Sequence, residues 1–404
     1  MMKDRDVKKQ NDSRNGGGIL KLIPGVVFLF VIFAVFALNI AEAAESFSGQ
    51  SGKDGIKAAM AGLGSVEKVT YPFVNINGFY QGLMQRDYIY DAEPQNDTIR
   101  MSNGKVVSVS SAASKKKMRK AAAELKKTQD WLSERGIQSL YVQAPSKTCF
   151  SDDDLMPGIS NKTYDKLEFF IGEMKKQNAG YIDARELIAD TGADGFYKTD
   201  HHWTTETAFD VAVKVGKLLN EDYGFNIDDA VLDPSNYSFD THRDAFLGAE
   251  GRRTGRYYVG LDDFTVITPD FETDMHAAID SSETGHSERD GSFEETVMDS
   301  EKDTRHYSFD DSAYYAYWGG DYGRAEIINN NVDDDSSVII FKDSYGIPVS
   351  AFLTNMFHRV NVIDKRYYES DETLKELIEE TDPDLVMFVY GPGYLGKKKM
   401  FSLN

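Results

Sequence analysis

The chain has 404 residues, of which 41% are hydrophobic, enough to bury a sizeable core and to form about two domains. It carries 66 Asp and Glu against 45 Lys and Arg, a formal charge of −21 that disfavours nucleic acid and anionic lipid as partners of the folded part. A single cysteine, Cys149, excludes an intramolecular disulfide and a multi-cysteine metal site, and at a strand end it reads as a half-buried thiol.

Residues 1–19 are polar and rich in basic groups (Lys3, Arg5, Lys8, Lys9, Arg14). An uncharged stretch, Leu22–Ala41, follows and is long enough to cross a hydrocarbon core of roughly 30 Å as a helix. Positive charge before it and Glu42 and Glu45 after it predict an N-terminus in the cytoplasm and a single pass over 20–42. The competing reading is a cleaved signal peptide with a small-x-small site at Ala41–Ala43, but the run is long for one. Either way the remainder lies outside the cytoplasm, anchored to the cell membrane or, if cleaved, secreted. Residues 43–65 are small and polar and read as a tether for a domain over 66–404.

Residues 66–110 read as β-rich, with strands over Val66–Ile76 and Arg86–Tyr90. A helix is predicted over Ser110–Arg135, closed by Gly136, its Lys115–Lys120 run a solvated face. Strand 137–143, helix 162–178, strand 180–183 and helix 204–223 follow. Residues 224–335 hold many Asp, Gly and aromatic residues. They read as an irregular or β insertion on the core, with a short strand at Phe264–Thr268 and a polar mobile loop at 279–305. Regular alternation then returns: strand Val338–Phe341, helix 347–357, strand 359–363, helix 373–381 and strand 385–390. This β-α-β-α-β order predicts a parallel sheet with helices on both faces. Sites on such sheets gather at the carboxyl ends of strands, where Ser344, Asp364–Arg366 and Gly391–Tyr394 fall.

Two motifs carry the chemistry. Ser344 follows an apolar strand and precedes a helix, a place for an N-cap or for a nucleophile whose oxyanion the helix start would favour. Asp200 and His202 stand two apart. On an extended segment they project to the same face, so that the acid can orient the imidazole and the other ring nitrogen can meet a serine. Trp203 is placed to wall such a site. Adjacent histidines point opposite ways on a strand, which makes one metal held by both His201 and His202 awkward, so no metal is expected and His201 reads as packing or substrate-facing. Lys147, Tyr345, Arg366 and the Gly391–Gly393 turn are candidate oxyanion or substrate-binding groups, and Arg366 reads equally as half of a structural ion pair. The aromatic run over 306–323 reads as core packing or as a platform for sugars.

The stretches Tyr197–Thr204 and Phe341–Gly346 resemble the DHHW family, which is similar to alginate O-acetylation proteins of the AlgJ/AlgX type in the SGNH-hydrolase superfamily. Gln143–Lys147, Gly319-Gly320 and Ile327–Asn330 add to a resemblance spanning roughly residues 70–395. It implies an α/β three-layer SGNH-like fold with a central parallel sheet and a permuted order, the Asp-x-His-Trp motif preceding the serine. It also implies Ser344 as nucleophile, His202 as base, Asp200 as orienting acid, and no cofactor. The implied partners are a membrane-bound O-acyltransferase and a cell-surface polysaccharide. One departure stands out: the superfamily glycine before Asp-Ser is Lys342 here. The expected activity is serine O-acyl transfer, most simply of acetyl. The alternatives are an acetylesterase using the same residues and a non-catalytic glycan-binding scaffold.

Overall fold

A computed structural model of the chain describes residues 30, 66–90, 97–150, 154–281, 285–299, 312–370 and 372–403. Apart from residue 30, the expected cytoplasmic tail, anchor and tether lie outside these residues. No helix among the described residues is long and apolar enough to cross a membrane. The chain divides into two compact units, Met1–Ile76 and Asn77–Asn404. Of the first, the described part is residue 30 and the beginning of helix α1 (Val66–Leu83). A helix here corrects the strand read at Val66–Ile76. The β-branched residues in this stretch suggested a strand, yet the buried positions Asn75 and Gly78 recur at a helical spacing of three. Gly78 is required for the packing, because a Cβ there would stand 2.1 Å from the Thr254 carbonyl oxygen.

Three short antiparallel strands open the second unit: β1 (Tyr88–Ile89), β2 (Thr98–Arg100) and β3 (Val106–Ser108). Helix α2 (Lys115–Ser133) begins where the Ser114 hydroxyl accepts the Lys117 N–H. Strand β4 (Gln138–Gln143), helix α3 (Lys162–Gln177), strand β5 (Ile182–Asp183) and helix α4 (Thr205–Asp222) follow. Then come β6 (Tyr237–Phe246), helix α5 (Ala249–Thr254), β7 (Asp262–Pro269), β8 (Met275–Ser281), β9 (Gly285–Gly291) and β10 (Arg324–Asn329). The chain closes with β11 (Ser337–Lys342), helix α6 (Gly346–Leu353), β12 (Arg359–Ile363), helix α7 (Leu374–Thr381) and β13 (Leu385–Tyr390).

The main sheet has eight strands in the order β5-β4-β13-β11-β12-β10-β8-β9. From β5 to β12 every pairing is parallel. From β12 to β9 every pairing is antiparallel. The sheet is thus mixed rather than wholly parallel, and the region read as an insertion supplies β8, β9 and β10 to it. Part of the polar loop expected at 279–305 is the edge strand β9, which pairs with β8 through its backbone while its side chains face water.

Strand β11 shows why the core has two sides. All six of its residues are buried, and their side chains alternate between faces. Val338 and Ile340 join Phe209 and Ala212 of α4 and Phe352 of α6. Ile339 and Phe341 join Leu125 of α2, Phe170 of α3 and Ile378 of α7. Helices therefore cover both faces, giving three layers. A run apolar on every residue is what a strand covered on both faces needs.

At the carboxyl edge, four buried or half-buried charges lock the strand ends. Lys342 Nζ lies 3.0 Å from Asp321 and 3.3 Å from Asp364, and Arg366 reaches both carboxylates at 2.9 and 2.5 Å. Asp364 is fully buried. Removing it by Asp364→Ala leaves Lys342 and Arg366 to share Asp321 alone and is expected to cost about 3 kcal/mol, read as a lower urea midpoint at unchanged slope.

Candidate active site

Ser344 stands two residues beyond β11, in a turn built by its neighbour. The Asp343 carboxylate accepts the Tyr345 N–H at 2.9 Å and the Gly391 N–H at 2.8 Å, fastening the turn to the end of β13. Burial pushes the Asp343 carboxyl up to about 6, against the pull of those two N–H groups. Helix α6 starts with Tyr345 as its N-cap and no side-chain cap. The Ser344 hydroxyl is therefore not spent on capping. It lies 2.8 Å from His202 Nε2.

His202 arrives on a loop closed by a bridge between Phe196 and Trp203 and by the Thr204 N–H donating to the Gly195 carbonyl. The segment is a turn, which corrects the extended geometry expected from the two-residue spacing. Asp200 Oδ1 accepts both the backbone N–H of His202 at 3.0 Å and its Nδ1 at 2.6 Å, so a local turn rather than a pleat brings acid and base together. For the same reason the two histidines do not point apart: their ring centroids are 3.9 Å from one another. The other oxygen of Asp200 accepts the Ala249 N–H at 2.7 Å. Thr199 and Lys198 are held by Asp262, which accepts both of their N–H groups at 2.8 and 2.7 Å.

The electrostatics follow from burial. Burial opposes charge on Asp200, but the neighbouring histidines and the hydrogen bonds from His202 and Ala249 outweigh it and hold this carboxylate well below its usual range. Burial, helped by the charge of His201, lowers the pKa of His202, with Asp200 pulling the other way. The His202 ring is therefore neutral at pH 7, with Nδ1 committed to Asp200 and Nε2 open to Ser344. Asp200, His201 and His202 offer ligand atoms within 4.8 Å of one another. A cation there would have to break the Asp200–His202 or the His202–Ser344 contact, so this donor set fits proton transfer better than a metal.

The other nominated residues divide. Trp203 is fully buried and its Nε1 donates to the Tyr345 carbonyl at 3.1 Å. The Tyr345 hydroxyl donates to the His201 carbonyl at 2.7 Å. Lys147 is fully buried, its ammonium donating to the carbonyls of Val106, Tyr197 and Lys198. Arg366 is held by Asp364 and Asp321. The Tyr345 and Gly391 N–H groups serve Asp343. Each of these groups thus has a structural partner already. Burial pushes the Cys149 thiol up to about 11, which leaves it inert.

Three residues were not nominated for the site by the sequence, although one of them, Tyr314, lies in the aromatic run over 306–323. Tyr314 stacks on the His202 ring at 4.2 Å and 15°, which makes it part of the packing around the base. Glu250 is buried beside His201, with 3.8 Å between Oε2 and Nδ1. Gly248 lets α5 approach Asp200. This glycine lies in the Gly- and Asp-rich region 224–335, and nothing local announced what it would touch.

Residues 105–234 match the family described as ALGX: SGNH hydrolase-like domain, acetyltransferase AlgX. Over these residues the chain is similar to an AlgX-like SGNH hydrolase-like domain. The match spans β3 to α4 and includes the Asp200–Trp203 motif. Bacillus cereus PatB1 with a sulfonyl adduct has the same fold, with a TM-score of 0.61, 16% identity, and coverage of 78% of this chain and 99% of PatB1. A DHHW family protein from Eubacterium siraeum is also similar, with a TM-score of 0.57, 18% identity, and coverage of 79% of this chain and 97% of the other. No curated protein matches. The resemblance to a DHHW/AlgX-like SGNH family, read from two motifs, therefore extends to the fold.

A Cβ at position 248 would stand 2.1 Å from Asp200 Cβ and 2.4 Å from its Oδ2. Gly248→Ala is expected to push Asp200 off the His202 ring and slow labelling of Ser344 by a serine-directed phosphonate about a hundredfold. A thermal melt checks that the variant still folds, and an unchanged labelling rate would show that α5 yields instead of Asp200.

Proposed function

We propose that this chain is a serine O-acyltransferase, most simply an O-acetyltransferase, that modifies hydroxyl groups of a cell-surface polysaccharide. The observation that carries the reading is the unbroken chain of contacts from Asp200 through His202 to Ser344, at 2.6 and 2.8 Å. The AlgX-like family match supports the transferase class. In the first half, Ser344 Oγ bonds to the acyl carbon as its proton passes to His202 Nε2, and the departing donor oxygen takes that proton. In the second half, a sugar hydroxyl gives its proton to His202, its oxygen attacks the acyl carbon, and Ser344 leaves and is reprotonated. Asp200 holds the ring and steadies the imidazolium in both halves. The Ser344 N–H, which no neighbouring group takes up among the described residues, is an oxyanion donor in this scheme.

The basic N-terminal tail, the uncharged Leu22–Ala41 run and the tether favour an anchored domain outside the cytoplasm. Acetyl-CoA is not at hand there, so the acyl group is delivered by a membrane-bound O-acyltransferase.

PatB1 with its sulfonyl adduct suggests the probe. A sulfonyl fluoride is expected to label the chain, and peptide mapping to place the label on Ser344. Ser344→Ala is expected to abolish labelling and to lower acetyl transfer from an activated ester to an oligosaccharide by about 10³-fold or more. Rapid ester hydrolysis with no transfer to any oligosaccharide would favour the esterase, and acetylation in cells that survives Ser344→Ala would favour the scaffold.

The base must be neutral to act, and the His202 pKa lies below the ordinary histidine value of about 6.5. Activity is therefore expected to be full above that value and to fall only as the pH drops through the depressed pKa. A kcat/KM profile whose acid limb has its midpoint above neutrality would contradict this.

A further inference from the structure

His201 lies beside the base but makes none of the three contacts that define it. Its side chain is 42% exposed, yet it rests against two buried carboxylates, with Nδ1 3.5 Å from Asp200 and 3.8 Å from Glu250. Glu250 is only 2% exposed. Its Oε1 accepts from the Ser108 hydroxyl at 3.2 Å, while Oε2 has no hydrogen-bond partner. A buried carboxylate with an empty oxygen is costly unless a cation faces it. The other cation in the cluster, Lys147, is occupied by three backbone carbonyls. His201 thus faces the unpartnered oxygen of Glu250 across 3.8 Å. It meets the His202 ring on one side, and Tyr314 meets that ring in a near-parallel stack.

We propose that Glu250 and His201 form a second carboxylate–imidazole pair, in which His201 is a positioning residue that keeps positive charge against the His202 ring. The assignment rests on His202 being the base of the reading above. Burial works against charge on His201, but Asp200 and Glu250 together outweigh it and raise its pKa. The charged neighbour discourages resting protonation of His202, leaving Nε2 free for the Ser344 proton. The same repulsion makes the imidazolium formed during turnover a stronger acid, so its proton passes readily to the departing oxygen. Other groups bear on this pair. Asp200 lies on the same loop, Glu250 on α5, and Lys147 on the turn after β4. Asp343, Ser344 and Tyr345 lie on the turn after β11, and Tyr314 belongs to the segment before β10. Tyr314 and Tyr345 are kept neutral by burial. Asp343 titrates at about 6.

Because Asp343 falls in the same range, the test follows the rings themselves. Histidine-labelled full-length protein is titrated by NMR, reading the ring nitrogens of His201 and His202. In the wild type, His201 is expected to stay protonated past pH 7 while His202 stays neutral. His201→Gln removes a positive neighbour and is expected to raise the His202 pKa by about one unit, a tenfold change in proton affinity. Glu250→Gln removes the second carboxylate facing His201 and is expected to lower the His201 pKa. A role in packing alone would leave His201 unmoved by Glu250→Gln and His202 unmoved by His201→Gln. The acid limb of Ser344-dependent transfer should shift upward in His201→Gln alongside the titration. A His202 titration unmoved by His201→Gln, or a His201 ring already neutral at pH 7 in the wild type, overturns the assignment whatever the activity. Absence of Ser344-dependent chemistry would instead sink the transferase reading and leave the titrations standing.

Discussion

Two hydrogen bonds clasp the loops that carry the base and the nucleophile. The Trp203 indole donates to the carbonyl of Tyr345, and the Tyr345 hydroxyl donates to the carbonyl of His201. His202 lies between the two gripped residues, and Ser344 directly precedes the residue that grips them. Segments more than 140 residues apart in sequence are thereby fixed in register to within a hydrogen bond. Each such bond contributes only about 1 kcal/mol to stability. Their weight is geometric, because a slip of either loop would separate Nε2 from Oγ before it unfolded anything. The buried Trp203 ring, edge-on to Tyr345 at 5.5 Å, makes such a slip more costly.

Around this clasp the protein balances charge locally. The chain as a whole is strongly acidic, yet two pairs of its buried or half-buried carboxylates face basic side chains in small groups. Asp364 and Asp321 are matched by Lys342 and Arg366, while Asp200 and Glu250 face His201. This explains why several attractive donors are not free to serve a substrate. Lys147 and Arg366 have the right residue type and lie near strand ends. In a low-dielectric interior, however, an unpaired cation is unstable, and each is already matched. Where the superfamily has a glycine, Lys342 is accommodated by the same device: its ammonium turns toward the two aspartates at the carboxyl edge.

Much of this fold is legible locally. Val338–Phe341 and Leu385–Tyr390 are continuous apolar runs, because both faces of those strands are covered. The helices at 115–133, 162–177 and 205–222 carry their apolar residues at helical spacing and have recognisable ends. Legibility fails where the backbone alone makes the structure. Strand β9, Gly285–Gly291, is polar throughout and looks like a loop. Its partner β8 supplies the pairing, and its own side chains contribute no pattern. Helix α1 fails for the opposite reason: its β-branched residues imitate a strand, while packing through Gly78 settles the matter.

The sequence by itself determined the residue types of the site and their places in the fold: a serine at the end of a buried parallel strand, and an acid and a histidine two apart before a helix. These follow from local pattern, since strand burial and helix entry leave marks within a few residues. Only the tertiary structure decided that Asp200 reaches His202 through a turn, that Gly248 and Ala249 brace its carboxylate, that Glu250 stands behind His201, and that Lys147 and Arg366 have other partners. Contacts between distant segments depend on how the layers pack, and no short stretch of sequence encodes which side chain will occupy the space beside another.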